Sequence, residues 1–308
     1  MIVIVFYDWD GTDGGNDRQG RRLEGGRMRV VDTGPVGRGG WSLLLVHGWG
    51  SDADDWAPLV PELAGWARVI APDLPGHGPS AARAGGDGGP HSPHGVADLL
   101  AALLRDRGTG PVVAIGHSLG GQVVSALAIA HPELVGAVAV LAPAYGGAPE
   151  DRDRIVAEQR ALRRRGSAWA VDFVAGAFGP LAPEDLRERH RRLMARMSPE
   201  VLARYRDALY LAPDAFGLRP ASDAYLRRRR CPVLAVHTDP AAAAWERGLL
   251  SHPASRVHLW EECGHYPHEE RPADLARLLA LWCADRRTAA AVRRPTGPPP
   301  NGSRPPGS

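Results

Sequence analysis

A serine between two glycines is the residue of this sequence best placed to do chemistry. Residues 116–120 read Gly-His-Ser-Leu-Gly, after the apolar run Val-Val-Ala-Ile and before a run typical of a helix, Gln-Val-Val-Ser-Ala-Leu-Ala. A sharp turn from strand to helix has no room for side chains at the two glycine positions, and it lifts the hydroxyl between them above the sheet. The pattern therefore predicts that Ser118 is a nucleophile, with the start of the following helix favouring the negative charge that develops.

A serine hydroxyl is a weak nucleophile until a base takes its proton, so the motif predicts a histidine late in the chain and an acid between the two. His265 follows the last predicted strand, in the sequence Cys-Gly-His-Tyr-Pro-His, and we predict that it is the base. Position assigns the other candidates elsewhere: His47 and His77 to glycine turns, His117 to the serine turn but pointing away from the nucleophile, and His268 to the surface.

The acid is predicted at the end of another apolar strand. Residues 231–245 read CPVLAVHTDPAAAAW, and Asp239 is the only carboxylate immediately after the apolar run. The chain between positions 239 and 265 is long enough for the helix and strand that must intervene. An acid at this point would hold His265 in the correct tautomer and stabilise its imidazolium form. We therefore predict that Asp239 is the third catalytic residue.

An oxyanion hole is predicted from two backbone N–H groups. The stretch 43–56 reads LLLVHGWGSDADDW, so that Trp49 comes just after a buried strand and its glycine turn. The N–H groups of Trp49 and Leu119 can converge on the oxygen of a tetrahedral intermediate, and one such donor typically contributes about 10²–10³ in rate. The indole of Trp49 is also expected to form a wall of the pocket.

The elements that position these residues alternate between strands and helices. Apolar runs precede Trp49, Ser118 and Asp239, and further apolar runs occupy 67–72, 135–143 and 256–260. Strands that are apolar on both faces suit a parallel sheet covered by helices on each side. Ser92 and Pro93 have the residue types of an N-cap and a first helical residue, which predicts a helix over about 93–106. The fold class is therefore α/β, with a doubly wound, mostly parallel sheet.

The segment 145–225 interrupts this alternation with arginine-rich helical patterns and no clear strand. An all-helical insertion here is predicted to form a cap over the carboxyl ends of the strands, where such sheets bind ligands. The predicted organisation is a disordered extension at 1–20, a core at 21–144, the cap at 145–225, a second part of the core at 226–288 and a disordered tail at 289–308. Cap aromatic residues are candidates for an acyl pocket: Trp169, Phe173, Phe178, Tyr205, Tyr210 and Phe216.

Composition narrows the classes of partner. A net charge of +2 over 308 residues gives no case for nucleic acid or an anionic membrane, and all 37 basic residues are arginine, which is typical of a GC-rich bacterial genome. Three cysteines are too few for a disulfide framework and favour a reducing cytoplasm. The first ten residues lack the features of a signal peptide and are too few to span a bilayer. Nothing in the sequence predicts a metal site or a cofactor.

The N-terminal stretch IVIVFYDWDGT resembles the nucleophile motif of the haloacid-dehalogenase phosphotransferases, in which Asp8 would accept a phosphoryl group. Such an enzyme needs some two hundred further residues of its own, and the chain that follows carries the serine motif instead. We therefore interpret the stretch as an extension of the domain rather than as a second active site.

Taken together, the motifs HGWG, DLPGHGPS, GHSLGG, HPELV and GHYPHEERP resemble those of the α/β-hydrolase superfamily over roughly residues 21–285. The first three are particularly similar to pimeloyl-carrier-protein methyl esterases and small bacterial carboxylesterases. The resemblance implies oxyanion donors at Trp49 and Leu119 and a structural role for the turn of Asp73 and His77. Serine at position 118 argues against epoxide hydrolases and haloalkane dehalogenases, which have an aspartate there.

The resemblance also raises a question about the acid. Members of the superfamily usually have Gly-x-x-Asp after the penultimate strand, and that spacing leads to Ala241 rather than to Asp239. Three interpretations are open: Asp239 serves from a shortened loop, the acid has moved to Glu150 or Asp151 after the preceding strand, or the acid is missing. The sequence favours the first.

The predicted function is a cytoplasmic serine hydrolase that cleaves a carboxylic ester or related acyl bond in a small molecule, through Ser118, His265 and Asp239. The alternatives are a hydrolase-fold protein that binds a small ligand with little turnover, and a hydrolase of carbon–carbon bonds.

Overall fold

The computed structural model describes residues 3–9, 26–34, 40–79, 89–180 and 182–292. Eight strands form one sheet in the order β1-β2-β4-β3-β5-β6-β7-β8. Strands β3 to β8 are parallel, and β1 and β2 join the edge in antiparallel pairs. The strands are β1 Val3–Trp9, β2 Gly26–Asp32, β3 Trp41–Val46, β4 Ala67–Pro72, β5 Val112–His117, β6 Val135–Leu141, β7 Val233–His237 and β8 Arg256–Leu259.

Helices cover both faces of the sheet, as the apolar runs predict. Alternate residues of β3 enter two different cores: Leu44 and Val46 pack on one face, and Leu43 and Leu45 on the other. The first face carries α2 (Pro93–Asp106) and α3 (Leu119–Ala130), and the second carries α1 (Val60–Ala64), α11 (Pro272–Ala284) and α12 (Arg286–Val292). The mostly parallel doubly wound sheet is therefore confirmed.

Helix α2 shows how local sequence sets an element boundary. The hydroxyl of Ser92 accepts a hydrogen bond from the Gly95 N–H at 3.1 Å, and Pro93 occupies the first helical position. The first turn of a helix leaves its N–H groups unpaired. The Ser92 hydroxyl pairs with one of them, and Pro93 has no N–H to leave unpaired. The predicted helix over about 93–106 is confirmed.

The chain between β6 and β7 is helical and forms the cap. Five helices follow one another, and the structure describes no named strand among them, only an isolated bridge between Gly147 and Leu218. They are α4 Asp151–Arg165, α5 Ser167–Ala175, α6 Glu184–Arg196, α7 Pro199–Tyr210 and α8 Ala221–Leu226. After β7 come α9 (Pro240–Arg247), then β8, and then the single-turn α10 (Pro267–Glu270).

The two ends of the chain are more ordered than the sequence predicts. Val3–Trp9, expected to belong to a disordered extension, pairs with β2 along its whole length because its apolar run meets an open sheet edge. Asp8, the residue of the phosphotransferase-like motif, forms an exposed ion pair with Arg27. Residues 289–292 belong to α12, in which Val292 packs against Gly136 of β6. The rest of both predicted disordered segments lies outside the described residues.

Within the described ranges, no helix is both long and apolar enough to cross a membrane. Cys231, Cys263 and Cys283 are all free thiols.

Candidate active site

The turn between β5 and α3 holds Ser118 in a backbone conformation that few residues other than glycine adopt. Its φ is 51° and its ψ is −113°, which stores strain that the surrounding structure must balance. A Cβ at Gly116 would lie 2.2 Å from the carbonyl oxygen of Gly120, and a Cβ at Gly120 would lie 2.1 Å from that of Val46. Both glycines of the motif are therefore required by close backbone contacts, as the sequence predicts.

Backbone hydrogen bonds to the end of the neighbouring strand fix the same turn. The Ser118 N–H donates to the carbonyl of Leu141 at 3.0 Å, and the Ser118 carbonyl accepts from Ala144 at 3.0 Å and Gly121 at 2.9 Å. Ser118 is 7% exposed, and that small exposed fraction faces a cavity. The structure thus holds the hydroxyl at the carboxyl end of the central strand, open on the side of the cap.

His265 lines the same cavity as Ser118, although it lies 147 positions later in the sequence. Hydrogen bonds hold both backbone polar groups of His265. Its N–H donates to the Ala177 carbonyl of the cap at 2.6 Å, and its carbonyl accepts from the His117 ring at 2.7 Å. Burial, helped by the nearby His190, lowers the pKa of His265 to about 4. At neutral pH the imidazole is therefore uncharged and able to accept a proton.

The structure does not bring Asp239 to His265. The Asp239 side chain is exposed and caps α9, accepting a hydrogen bond from the Ala242 N–H at 2.7 Å. Among the described residues, no carboxylate oxygen lies within 4.0 Å of the His265 ring nitrogens. The role of Asp239 as the triad acid therefore stays a prediction. To reach His265, its carboxylate would have to give up the hydrogen bond at the N-terminus of α9.

The strand end that precedes Asp239 is fixed by a buried network instead. Glu246 accepts hydrogen bonds from His237 at 2.7 Å, Arg229 at 2.8 Å and the Tyr145 hydroxyl at 2.8 Å. All four side chains are buried. Burial alone would raise the pKa of Glu246, but Arg229 and His237 outweigh it and lower that pKa to about 2. This network holds α9 against β7 with Asp239 on the solvent side.

The alternative acids are also committed elsewhere. Glu150 is exposed at the start of α4. Asp151 lines the cavity but accepts hydrogen bonds from Arg154 and the Ala148 N–H, both at 3.0 Å. The Arg154 guanidinium holds the pKa of Asp151 below its usual value. Neither residue meets His265, so that the structure leaves the base without a charged partner among its described neighbours.

The two residues predicted to form the oxyanion hole both lie near Ser118: Trp49 lines the same cavity and Leu119 is the next residue in the chain. Leu119 is the first residue of α3, where the N–H groups of a helix lack partners within the helix. Trp49 borders the cavity, and its indole is fixed by a hydrogen bond from Nε1 to the Leu202 carbonyl at 3.0 Å and by an edge contact with Phe173. The wall that the sequence predicts is present. The use of the two N–H groups remains a prediction, because it concerns a reacting substrate.

The cavity has a volume of about 300 Å³ and a chemically mixed lining. Apolar side chains, Ser118 and His265 share this lining with three charged cap residues, Arg154, Glu158 and Arg206, among which Glu158 accepts hydrogen bonds from both arginines at 2.8 Å and 2.6 Å. Arg206 is 5% exposed and its guanidinium also stacks near the rings of Trp169 and Phe173. The arginine-rich helical pattern of the cap gives no sign that Arg206 is buried.

Of the cap aromatic residues proposed for the pocket, two line it and four pack elsewhere. Phe173 and Tyr210 border the cavity. The other four support the cap: Trp169 stacks on Phe173, Phe178 stacks on Tyr266, Tyr205 donates to the Pro75 carbonyl, and Phe216 stacks on Tyr225.

The remaining histidines divide between expected and unexpected positions. His47 and His77 shape the loops as predicted: their ring nitrogens accept from the Leu74 N–H at 2.9 Å and the Gly50 N–H at 3.1 Å. His268, predicted to lie on the surface, is fully buried because α10 turns it onto the ring of Trp56. The Pro-His-Glu-Glu run offers no apolar periodicity from which this burial could be predicted.

The sheet order, the strained serine turn and the capped cavity define a hydrolase of the α/β class. The family model described as the alpha/beta hydrolase family matches residues 43–278, and the chain belongs to this family. This confirms the superfamily inferred from the sequence motifs.

Similar proteins include hydrolases of different bonds. The chain is 28% identical over 279 residues to a 2-hydroxymuconate semialdehyde hydrolase of a Pseudomonas species, covering 86% of this chain and 93% of that protein. It is 30% identical over 253 residues to a pimeloyl-[acyl-carrier protein] methyl ester esterase of Aromatoleum aromaticum, covering 77% of this chain and 96% of that protein.

Solved structures show the same fold at lower identity. A thermophilic esterase from Thermogutta terrifontis, with malate bound, aligns with a TM-score of 0.71 at 23% identity and covers 92% of this chain and 97% of that one. A bromoperoxidase from Bacillus anthracis aligns with a TM-score of 0.73 at 19% identity and covers 91% of this chain and 100% of that one.

Proposed function

We propose that this α/β-hydrolase cleaves a carboxylic ester or a related acyl bond of a small molecule through an acyl-enzyme on Ser118. The observation that carries the proposal is the strained Ser118 turn, which opens into the cavity that His265 also lines. A binding protein has no need to hold a serine in this conformation against two close backbone contacts.

The steps follow from the arrangement. The Ser118 oxygen attacks the substrate carbonyl while its proton passes to the neutral His265 ring, and the carbonyl oxygen becomes an oxyanion that the Trp49 and Leu119 N–H groups stabilise. When the tetrahedral intermediate collapses, the carbon–oxygen bond to the alcohol breaks and His265 returns the proton to the leaving oxygen. Water then attacks the acyl-serine by the same route, which releases the acid and restores Ser118.

Asp239 has two possible roles in this mechanism: the acid of a catalytic triad, or the N-cap of α9 alone. As the orienting acid of a triad, it would have to turn from the α9 cap to His265. If Asp239 only caps α9, the imidazole is positioned by the hydrogen bonds that the His265 backbone makes with Ala177 and His117. The geometry supports the second arrangement, a serine–histidine pair, because the buried Glu246 network keeps α9 in place.

The substrate class follows from the size and polarity of the cavity. A volume of about 300 Å³ suits a small acyl or alcohol group, and the charged residues Arg154, Glu158 and Arg206 in the lining favour a substrate that carries a polar group. The methyl ester esterase among the relatives supports ester cleavage, and the 2-hydroxymuconate semialdehyde hydrolase supports carbon–carbon cleavage as the second candidate.

Labelling with a fluorophosphonate probe tests the nucleophile, and a panel of p-nitrophenyl and methyl esters of increasing acyl length tests the reaction. We expect Ser118 to be labelled and short esters to be turned over. Absence of labelling in folded protein would refute the serine hydrolase. Labelling without ester turnover would instead favour a binding protein with little turnover. That alternative is kept because His265 has no carboxylate partner among the described residues. The predicted cytoplasmic location stays a prediction.

A further inference from the structure

A buried group of ionisable side chains lies behind the serine turn, and none of them touches the reacting atoms of the proposed mechanism. Asp55 belongs to the short helix Ala53–Trp56, His117 ends β5, and His268 belongs to α10. Their exposed fractions are 0%, 1% and 0%. None of the three lines the cavity that holds Ser118. We refer to these three residues as the rear cluster.

The rear cluster contains four polar atoms without a partner. Among the described residues, nothing hydrogen-bonds to Oδ2 of Asp55, Nδ1 of His117 or either ring nitrogen of His268. Native proteins satisfy the great majority of buried polar atoms, so several neighbouring exceptions require a cause. The clearest of them is His268, of which neither ring nitrogen has a hydrogen-bond partner among the described residues; its ring lies at 4.5 Å from those of Trp56 and His117 in tilted contacts, and the nearest carboxylate oxygen, of Glu269, is 3.9 Å from Nε2.

The donor set and its spacing match a metal ion. One ligand atom from each of the three residues lies within 4.8 Å of the other two. A cation at the centre of such a triangle is close to every ligand, and small side-chain shifts would bring the distances to the roughly 2.0–2.2 Å of zinc–nitrogen and zinc–oxygen bonds. Two imidazoles and one carboxylate are ligands that zinc and its neighbours among the divalent transition metals prefer.

The surroundings orient these ligands. Nε2 of His117 donates to the His265 carbonyl at 2.7 Å, so that the lone pair of the neutral ring is on Nδ1, and such a bond to the far nitrogen is usual for a metal-bound histidine. Oδ1 of Asp55 is held by Arg189, which leaves Oδ2 free. Arg189 also contacts Asp52 and Glu269, and Glu269 in turn accepts a hydrogen bond from His190 at 2.7 Å, so that the neighbouring carboxylates have partners of their own.

We propose that Asp55, His117 and His268 form a structural site for a divalent transition-metal ion of the zinc class. The site joins three separate parts of the chain: the loop after β3, the end of β5 next to Ser118, and the segment after His265. Because His117 also holds the His265 carbonyl, the metal fixes the nucleophile turn and the base loop relative to one another from outside the cavity.

Elemental analysis of the untagged full-length protein tests the site directly. The protein is produced with zinc or cobalt in the growth medium, because the cluster is too buried to load easily after folding, and is then washed with a chelator. We expect about one metal ion per chain, and visible ligand-field absorption from the cobalt form. Wild-type protein with less than about a tenth of an ion per chain overturns the proposal, since a buried water would then fill the gap.

Two substitutions and a control separate this site from adventitious binding. His268→Phe retains a ring against Trp56, and Asp55→Asn retains the shape of the side chain, and each is expected to reduce the bound metal at least tenfold. His258→Phe, on the edge strand β8, removes an equivalent imidazole and should leave the metal content unchanged. If the two cluster variants hold as much metal as the control, the proposal is wrong. Asp55→Asn decides the matter if His268→Phe does not fold.

Discussion

The turn that carries Ser118 and the loop that carries Asp239 both follow a buried parallel strand, but the structure treats them differently. The serine turn is strained, closely packed and tied by backbone bonds to the next strand. The Asp239 loop is relaxed: its residue has an ordinary extended conformation, is exposed and caps a helix. Backbone strain persists only where the surrounding structure enforces it and is concentrated at functional sites, so the contrast agrees with the proposed catalytic role of Ser118 and with a helix-capping role of Asp239.

The largest expected effect comes from removing the nucleophile. Ser118→Ala should lower kcat for ester hydrolysis by at least about 10⁴ and abolish fluorophosphonate labelling, because no other described hydroxyl stands in the strained turn. Steady-state kinetics and mass spectrometry measure both results. Ser42→Ala, on β3, is the matched control and should retain full activity. Residual labelling in Ser118→Ala would show that the probe reacts elsewhere.

The next effect concerns the packing of the turn itself. Gly120→Ala places a methyl group 2.1 Å from the Val46 carbonyl oxygen, and neither backbone can move without disturbing the sheet. We expect a loss of about 3 kcal/mol in the free energy of unfolding, together with reduced labelling of Ser118. Gly110→Ala, where nothing lies within 4 Å of the added carbon, is the control and should unfold like the wild type. Equal stabilities in urea would contradict the close contact.

A smaller effect appears in the pH dependence. Burial lowers the pKa of His265 to about 4, and the proposed mechanism requires the neutral form of its ring. The kcat/KM value should therefore be constant from pH 8 down to pH 5.5 and fall by half near pH 4. An unperturbed histidine, with a pKa near 6.5, would already have lost about tenfold at pH 5.5. An acid limb at or above pH 6.5 would show that a carboxylate partners His265 in the working enzyme.

The smallest effect is expected at Asp239. Asparagine caps helices as well as aspartate does, so Asp239→Asn removes the charge while it preserves the start of α9. If Asp239 serves only as the N-cap of α9, the kcat of Asp239→Asn changes by less than about threefold. If Asp239 orients His265 as the sequence predicts, kcat falls by about 10⁴. Asp239→Ser, another capping residue, should behave in the same way as Asp239→Asn, and thermal unfolding confirms that both variants are folded.

The same contrast explains what the sequence could and could not reveal. The serine turn was predictable because its requirements are local: two glycines, a strand before them and a helix after them. The place of His265 beside the same cavity as Ser118 was predictable from its position along the chain. The environment of Asp239 was not, because it depends on Glu246, Arg229 and Tyr145, which come from distant segments and meet only in the folded protein. The burial of His268 and Arg206 escaped prediction for the same reason, since no local pattern distinguishes them from surface residues.

The contact between the cap and the base loop has a further consequence for how a substrate enters. Besides the bond from the His265 N–H to Ala177, the Glu270 carboxylate accepts from Gly179 of the cap at 3.3 Å and from Gly264 of the base loop at 3.1 Å. A movement of this part of the cap must therefore strain or break bonds that hold the histidine. The position of the His265 backbone is thus coupled to the position of this part of the cap.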